Sequence, residues 1–340
     1  MGACFFGGFD VVNVNKRSSH GEQGRKDAWT TYWQSGALHS CPTSFQGNYE
    51  GAIAAFWKRA SASLPVPARV LDVGTGNGSI PKLLIDAAAT PDHLDIDAVD
   101  AADISPAWHS PADMPYVRFH PGVPMESLPF AKASFDAVCS QFAIEYASVP
   151  VAWEEALRVL RPAGHLYWVM HHRESVFAQV AMQECEHLDW LLEPNGLLDA
   201  ALALAPWLMR LRGGDASVAS SPQANAARAR FNLIQQDVES RIRDTTATDI
   251  LQDVRAQVHA ILAKSPDPEF TLGRHRAWVV ESRLRSSELV GRALDGDGVQ
   301  ELGFWLKDRM PGASISVEAL QQQEGVLAWG LVLRIDQTGT

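Results

Sequence analysis

The sequence of 340 residues is poor in cysteine. Its four, Cys4, Cys41, Cys139 and Cys185, are scattered with no C-x-x-C pair, a spacing that argues against a disulfide framework or a zinc knuckle and suits a reducing compartment. The chain also lacks a basic excess. Its formal charge is −11, and no Lys/Arg run stands out, so it offers no broad electrostatic footprint for nucleic acid. At the N-terminus no basic segment leads into a long apolar one, which speaks against a secretory signal. Phe6 stands where a myristoylation motif wants Ser or Thr. The most apolar window, L-L-D-A-A-L-A-L-A-P-W-L-M, is short of a membrane span and carries Asp199 and Pro206. These absences leave a soluble, cytoplasmic chain with no stable membrane insertion.

What is present changes along the chain. Residues 1–25 are rich in Gly, Ser and charge and are expected to be a flexible N-terminus. Residues 26–64 carry irregularly spaced aromatics (Trp29, Tyr32, Trp33, Tyr49, Phe56 and Trp57 among them) and end in the break L-P-V-P-A. From Ala68, β-like runs at 69–73, 95–100, 116–120, 134–140 and 164–170 alternate with helix-like runs. That alternation predicts a parallel sheet covered on both faces, with residues 65–173 as the first part of a core. Residues 174–287 read as successive helices. Phe231, Ile234, Val238 and Ile242 share one helical face, and Ile250, Val254, Val258 and Ile261 share another, so both stripes are expected to pack. Thr246 with Asp249 predicts a cap for the second of these helices. Residues 288–340 are expected to add a closing helix and a β-hairpin turning at 321–325.

The chemistry concentrates at V-L-D-V-G-T-G-N-G-S-I, Val70 to Ile80. Glycine lets the backbone take unusual angles and lets a ligand approach without meeting a Cβ. Ser79 and Pro81 suit a helix start, whose free amides attract an anionic group. A phosphate loop of the G-x-x-x-x-G-K-[ST] type is excluded, since no Lys-Ser/Thr follows at the required place. The dinucleotide fingerprint G-x-G-x-x-G wants a third glycine where Ser79 stands. Asp72, two residues before the first glycine, would face a cationic amino group. Asp100, closing D-A-V-D, could hold a ribose diol. An amino-acid-bearing nucleoside fits both acids.

With those residues in view, the segment resembles motif I of class I S-adenosylmethionine-dependent methyltransferases, [DE]-x-G-x-G-x-G. The likeness continues in order, in the manner of the ubiquinone/menaquinone-type small-molecule methyltransferases, through E-S-L-P-F (126–130), S-F-D-A-V-C-S-Q-F-A (134–143), A-L-R-V-L-R-P-A-G-H-L (156–166) and the closing hairpin. The resemblance implies a Rossmann-like α/β fold: a seven-stranded, mostly parallel sheet with an antiparallel terminal hairpin strand, plus a helical insertion. It implies S-adenosyl-L-methionine as cofactor. Asp72 and the loop Gly74, Thr75, Gly76, Asn77 and Gly78 would face the methionine moiety, and Asp100 the ribose, with Asp103 in A-A-D-I-S as a rival. Glu126 would border the adenine, with Ser140 and Gln141 at the end of the fourth strand also on the cofactor. The chain has G-V-P-M-E-S-L-P-F where the family commonly has G-D-A-x-x-L-P-F, so the usual adenine-side Asp is missing.

Methyl transfer requires the acceptor to be aligned and water shed, with a base only for an acceptor whose proton has a high pKa. Candidates lie at the carboxyl ends of the strands: Gln141, Glu145 and Tyr146 after the fourth, His171 and His172 after the fifth. A-I-E-Y replaces the A-L-H-H often seen in the family, which leaves His171 or His172 as the preferred general base. Tyr32, Trp33, His39 and Tyr49 could form an aromatic lid over a sulfonium. The single E-x-x-H pair, Glu184 and His187, is too little for a metal site. Cys41 has no positioned base to make it a nucleophile. The D/N-P-P-[YF] segment of many nucleic-acid methyltransferases is replaced by S-Q-F-A. The reading is methyl transfer to a small, apolar or aromatic acceptor, with oxygen favoured. A protein or peptide methyltransferase, a non-catalytic binder of S-adenosylmethionine and an NAD-dependent oxidoreductase are the alternatives. The helical insertion could roof the acceptor pocket or serve as a homodimer interface.

Overall fold

The computed structural model describes residues 19–41, 45, 47–147 and 150–335. Most of the N-terminal stretch expected to be flexible lies outside these residues. Two helices come first, α1 (Ser19–Gln34) and α2 (Gly51–Ala62). Then follow β1 (Ala68–Val73), α3 (Ser79–Ala87), β2 (Leu94–Asp100), β3 (Val117–Pro121), β4 (Phe135–Gln141), α4 (Val151–Val159) and β5 (Leu160–His171). A helical block comprises α5 (Val176–Leu192), α6 (Leu197–Arg212), α7 (Pro222–Arg243), α8 (Asp249–Lys264) and α9 (Pro268–Arg292). The chain closes with α10 (Gly296–Arg309), β6 (Ala313–Gln322) and β7 (Gly325–Ile335).

The seven strands form one sheet in the order β3-β2-β1-β4-β5-β7-β6. The first five are parallel, while β7 runs antiparallel between β5 and β6. This is the Rossmann-like architecture expected of the sequence, including its terminal hairpin. Alternation along each strand sends side chains to two covered faces. Val70, Ile96, Ala137, Cys139 and Val169 pack with Ile80 and Leu84 of α3 and with Ile53, Phe56 and Trp57 of α2. Leu71, Val99, Val138, Leu166 and Trp168 pack on the other side with Ala152 and Ala156 of α4 and Val299, Leu302 and Leu306 of α10. The order reverses between β1 and β4, which opens a crevice at the carboxyl ends of those strands.

The helical block has its own core, with Leu188, Leu198, Phe231, Val238, Leu251, Val254, Val258 and Val279 buried together. Two boundaries differ from expectation. Helix α9 runs unbroken through residues 287–288, so the block ends at Arg292. Helix α1 begins at Ser19, so the division at 25/26 falls inside it. Its glycines and charges conceal a helix whose support is tertiary: Arg25 pairs with Glu288 at 2.6 Å, and Arg285 donates to the Ala28 carbonyl at 3.3 Å. The expected cap also shifts. Thr248 precedes α8, while the Thr246 hydroxyl donates to Gln183 Oε1 at 3.1 Å. Among the described residues no helix is long and apolar enough to cross a membrane.

Leu251 is fully buried in the core of the helical block. Truncation there is expected to leave a cavity and to cost about 2–5 kcal/mol. Urea unfolding of Leu251→Ala against wild type measures this, and a change near zero would show that the block does not pack as described.

Candidate active site

The glycine loop sits where β1 gives way to α3. The amides of Gly74 and Thr75 both donate to the Val99 carbonyl, at 2.9 and 3.0 Å, which hangs the loop from the end of β2. Gly74 has φ of 70°, and a Cβ there would stand 2.2 Å from the Cβ of Ala143, just past β4. No larger residue fits that approach. Gly76, with φ of 54°, lies beneath the Trp33 ring. The Asp100 carboxylate accepts from the Gly76 amide and from the Ala102 amide, each at 2.8 Å.

A cavity of about 420 Å³ opens over this loop. Gly74, Thr75, Ser79 and Ile80 line one side, Asp100 and Ala102 the next, and Met125 and Glu126 the side towards β3. Gln141, Phe142, Ala143 and Tyr146 line it beyond β4. Its roof comes from the N-terminal segment: Trp29 and Trp33 of α1, then His39, Ser40 and Tyr49. The two tryptophans, one helical turn apart, stack with centroids 5.7 Å apart, and Trp29 meets Tyr146 edge-on. The i, i+4 spacing of Trp29 and Trp33 is the signal that could have located this roof helix in the sequence. Met125 and Ala143 carried no such signal.

Asn77 fastens roof to loop. Its side-chain amide donates to the carbonyls of Trp33 and Ala37, at 2.9 and 2.7 Å. It therefore faces away from the cavity, and Gly76 and Gly78 likewise shape the loop without lining the cavity. Asp103 is exposed and lines a separate cavity beside Trp108, so the structure brings Asp100, and not Asp103, to the glycine loop. Ser140 is spent on the framework, its hydroxyl donating to the Val73 carbonyl and accepting from the Ile144 amide.

A sequence profile described as a methyltransferase domain matches residues 71–168, from β1 to β5. This segment is a class I S-adenosylmethionine-dependent methyltransferase domain. The chain is 33% identical over 141 residues to a malonyl-[acyl-carrier protein] O-methyltransferase from Herminiimonas arsenicoxydans, an alignment covering 38% of this chain and 52% of that protein. The chain thus spans about half the length of that relative. Among solved structures, it is similar to an S-adenosylmethionine-dependent methyltransferase from Aquifex aeolicus, with 18% identity, 43% and 74% of the two chains covered and a TM-score of 0.34. It is also similar to the Burkholderia thailandensis 1,6-didemethyltoxoflavin-N1-methyltransferase, with 20% identity, 47% and 68% covered and a TM-score of 0.36.

The methyltransferase domain has the features its cofactor requires. The Gly74 cradle admits a ligand against bare backbone. Below the loop the carboxyl of Asp72 is buried, with the Thr75 hydroxyl as the one polar side chain that offsets part of the cost of its charge. Burial raises the Asp72 carboxyl from an ordinary 3.8 to about 8. A buried acid that meets no cation among the described residues is suited to a cationic ammonium, the group the cofactor carries at its amino-acid end.

Of the four proposed acid–base residues, only Tyr146 lines the cavity. His171 is buried against Phe142, the two rings stacked nearly parallel with centroids 4.1 Å apart, and burial lowers its pKa to about 3. His172 stacks on Trp329, and its Nδ1 accepts from the Glu174 amide. Glu145 accepts the His171 amide at 2.9 Å, and burial raises its carboxyl to about 7. These three support the wall behind Tyr146 and Phe142. Glu184 accepts from the Ser286 hydroxyl and His187 bonds Thr245, so the pair divides between two contacts. Cys41 is buried with its thiol pushed up to about 12, packed near the Tyr49 hydroxyl.

Asp72 makes the apo-protein's stability fall with pH. Its pKa is higher folded than unfolded, so between about pH 4 and pH 8 the folded state holds a proton that the unfolded chain has released. Stability is then lost progressively as pH rises through that window. Asp72→Asn is expected to remove this part of the slope, gaining on wild type more at pH 8 than at pH 5. Urea midpoints at the two pH values test it, and parallel slopes would refute it.

Proposed function

We propose that this chain transfers the methyl group of S-adenosylmethionine to a small-molecule acceptor with an apolar body, oxygen being the favoured acceptor atom. The observation that carries the reading is the glycine loop packed against Ala143 beneath an aromatic-roofed cavity. The loop and Asp72 would hold the amino-acid part of the cofactor, Asp100 the ribose hydroxyls, and Met125 with Glu126 the adenine. The acceptor would enter beside Gln141, Phe142 and Tyr146, under Trp29. The relative from Herminiimonas arsenicoxydans is an O-methyltransferase, which supports oxygen over nitrogen or carbon.

When bound, the cofactor supplies an electrophilic methyl carbon. The protein's part is alignment and exclusion of water. Trp29 and Trp33 close the roof over the loop, and their faces would favour a sulfonium by cation–π attraction. Helix α9, which holds Arg25 and Ala28 of the roof helix, would act as the back of that lid. His171 and His172 have no place in this scheme as bases, because neither reaches the cavity.

Thermal-shift titration with S-adenosylmethionine, S-adenosylhomocysteine and NAD tests the reading. A ligand that binds only the folded state adds about 2.7 kcal/mol at a hundredfold excess over its Kd. The first two ligands are expected to raise the Tm, and NAD to leave it unchanged. Asp100→Ala should abolish the shift while Asp103→Ala keeps it. A shift with NAD alone, or equal loss in both variants, would overturn the assignment.

A further inference from the structure

Phe142 holds a backbone conformation that its side chain disfavours. It directly follows β4 with φ of 53°, in the left-handed region where glycine or asparagine is ordinarily found. The turn is fixed by the Phe142 amide, which donates to the Val169 carbonyl of β5 at 2.7 Å. Its consequences reach both parts of the site. The next residue, Ala143, makes the close approach to Gly74, and the Phe142 ring lines the cavity beyond β4. A strained conformation persists only where the surrounding structure over-determines it, and such residues cluster at ligand sites. Glycine would make this turn without strain but would bring no ring to the wall.

That ring is mounted on a second one. The His171 imidazole lies nearly parallel to it, centroids 4.1 Å apart, and burial keeps the imidazole neutral. His171 is itself held from two sides: its residue pairs with Ala328 of β7, and its amide donates to the Glu145 carboxylate at 2.9 Å. The same imidazole meets the Tyr146 ring edge-on at 5.9 Å. Phe177 and Tyr49 meet Phe142 edge-on, at 5.9 and 6.2 Å. One buried histidine therefore steadies two of the rings that line the cavity, Phe142 and Tyr146, and Trp29 of the roof helix meets the second of them.

We propose that Phe142 is the platform on which a planar aromatic acceptor lies, and that His171 is its positioning residue. The proposal rests on the methyl-transfer reading above and names its substrate class. Two stacked aromatic planes attract one another beyond the area they bury, and a platform already fixed loses little freedom when a ligand is laid on it. A saturated ring of the same skeleton is puckered and carries no π face. Methyl transfer needs the acceptor atom in line with the sulfonium carbon, and a fixed plane sets the tilt of the ring that carries that atom. Because Phe142 and Ala143 are consecutive, a single turn of backbone sets platform and cofactor loop in register. Glu145 and His171 then hold the wall in place and move no proton.

The experiment loads the protein with S-adenosylhomocysteine and titrates 2-naphthol and decahydro-2-naphthol, reading apparent affinity from the further change in Tm. 2-Naphthol is expected to bind about three- to tenfold more tightly than its saturated counterpart. Phe142→Leu keeps an apolar side chain, so a residue that only fills space would leave this preference intact; the expected result is its loss. Phe142→Asn, which suits the left-handed backbone, removes the ring a second way should the leucine variant not fold. His171→Leu should lower the preference and His171→Phe, which restores a flat ring behind Phe142, should recover it. The shift from S-adenosylhomocysteine itself should persist in all four variants. Equal binding of the two compounds by wild type, binding of neither, or a preference unchanged without the Phe142 ring would overturn the proposal. Loss of the S-adenosylhomocysteine shift in folded Phe142→Leu would overturn it by giving the ring to the cofactor, and equal losses in the two His171 variants would remove the positioning role. If wild type shows no shift with S-adenosylhomocysteine, the methyl-transfer reading fails first and the platform falls with it.

Discussion

The carboxylate of Asp100 is the point on which the site depends. One of its oxygens takes the Gly76 amide and the other the Ala102 amide. The glycine loop, with no side chain to anchor it at three positions, is thereby tied to the segment that follows β2. Without this tie the loop would be left to the Val99 carbonyl, the Asn77 side-chain contacts and the Trp108 indole N–H on the Asn77 carbonyl. Burial works against the charge, raising the Asp100 pKa, and the two amide bonds oppose that rise. The loop can then press against Ala143 closely enough that a single methyl would prevent it.

The roof depends on a second chain of contacts that begins in the same loop. Asn77 holds the carbonyls of Trp33 and Ala37, while Arg25 and Ala28, further back on α1, are held by Glu288 and Arg285 of α9. The helical block inserted between β5 and β6 thus reaches the cavity through α1. Arg285 also lies over the Tyr32 ring at 4.9 Å. Tyr32, counted among the lid aromatics, joins roof to insertion instead of lining the cavity. A conventional sheet and an unusual covering are joined along one helix face.

The fold was legible because its signals are local. Strand–helix alternation, the loop glycines and the closing hairpin each occupy a few consecutive residues, and hydrophobic alternation reports burial on both faces of a sheet. The acid–base residues were less legible. His171 and His172 stand at the end of β5, as expected, yet β7 runs antiparallel beside that end and pairs Ala328 with His171. Trp329 then covers His172, and Phe142 covers His171. A strand end locates a residue along the sheet but does not say which neighbouring layer will bury it. The roof helix was hidden for a related reason: its residues are polar and glycine-containing, with weak helical preference of their own.

The sequence by itself determined the sheet, the place of the glycine loop and the two acids, Asp72 and Asp100, that flank it. Periodicity and backbone chemistry act within a few residues, so they can be read without knowing what lies across the molecule. Only the tertiary structure decided which side chains share the cavity. It brought His39, Tyr49 and Gln141 to one end, although Gln141 lies 92 positions beyond Tyr49 in the chain. It also separated Asp100 from Asp103, three residues apart, into different cavities. Those outcomes rest on contacts between distant segments, on the fixed orientation of the Gln141 amide by Trp57 and on burial of rings against one another. None of these leaves a periodic trace in the sequence.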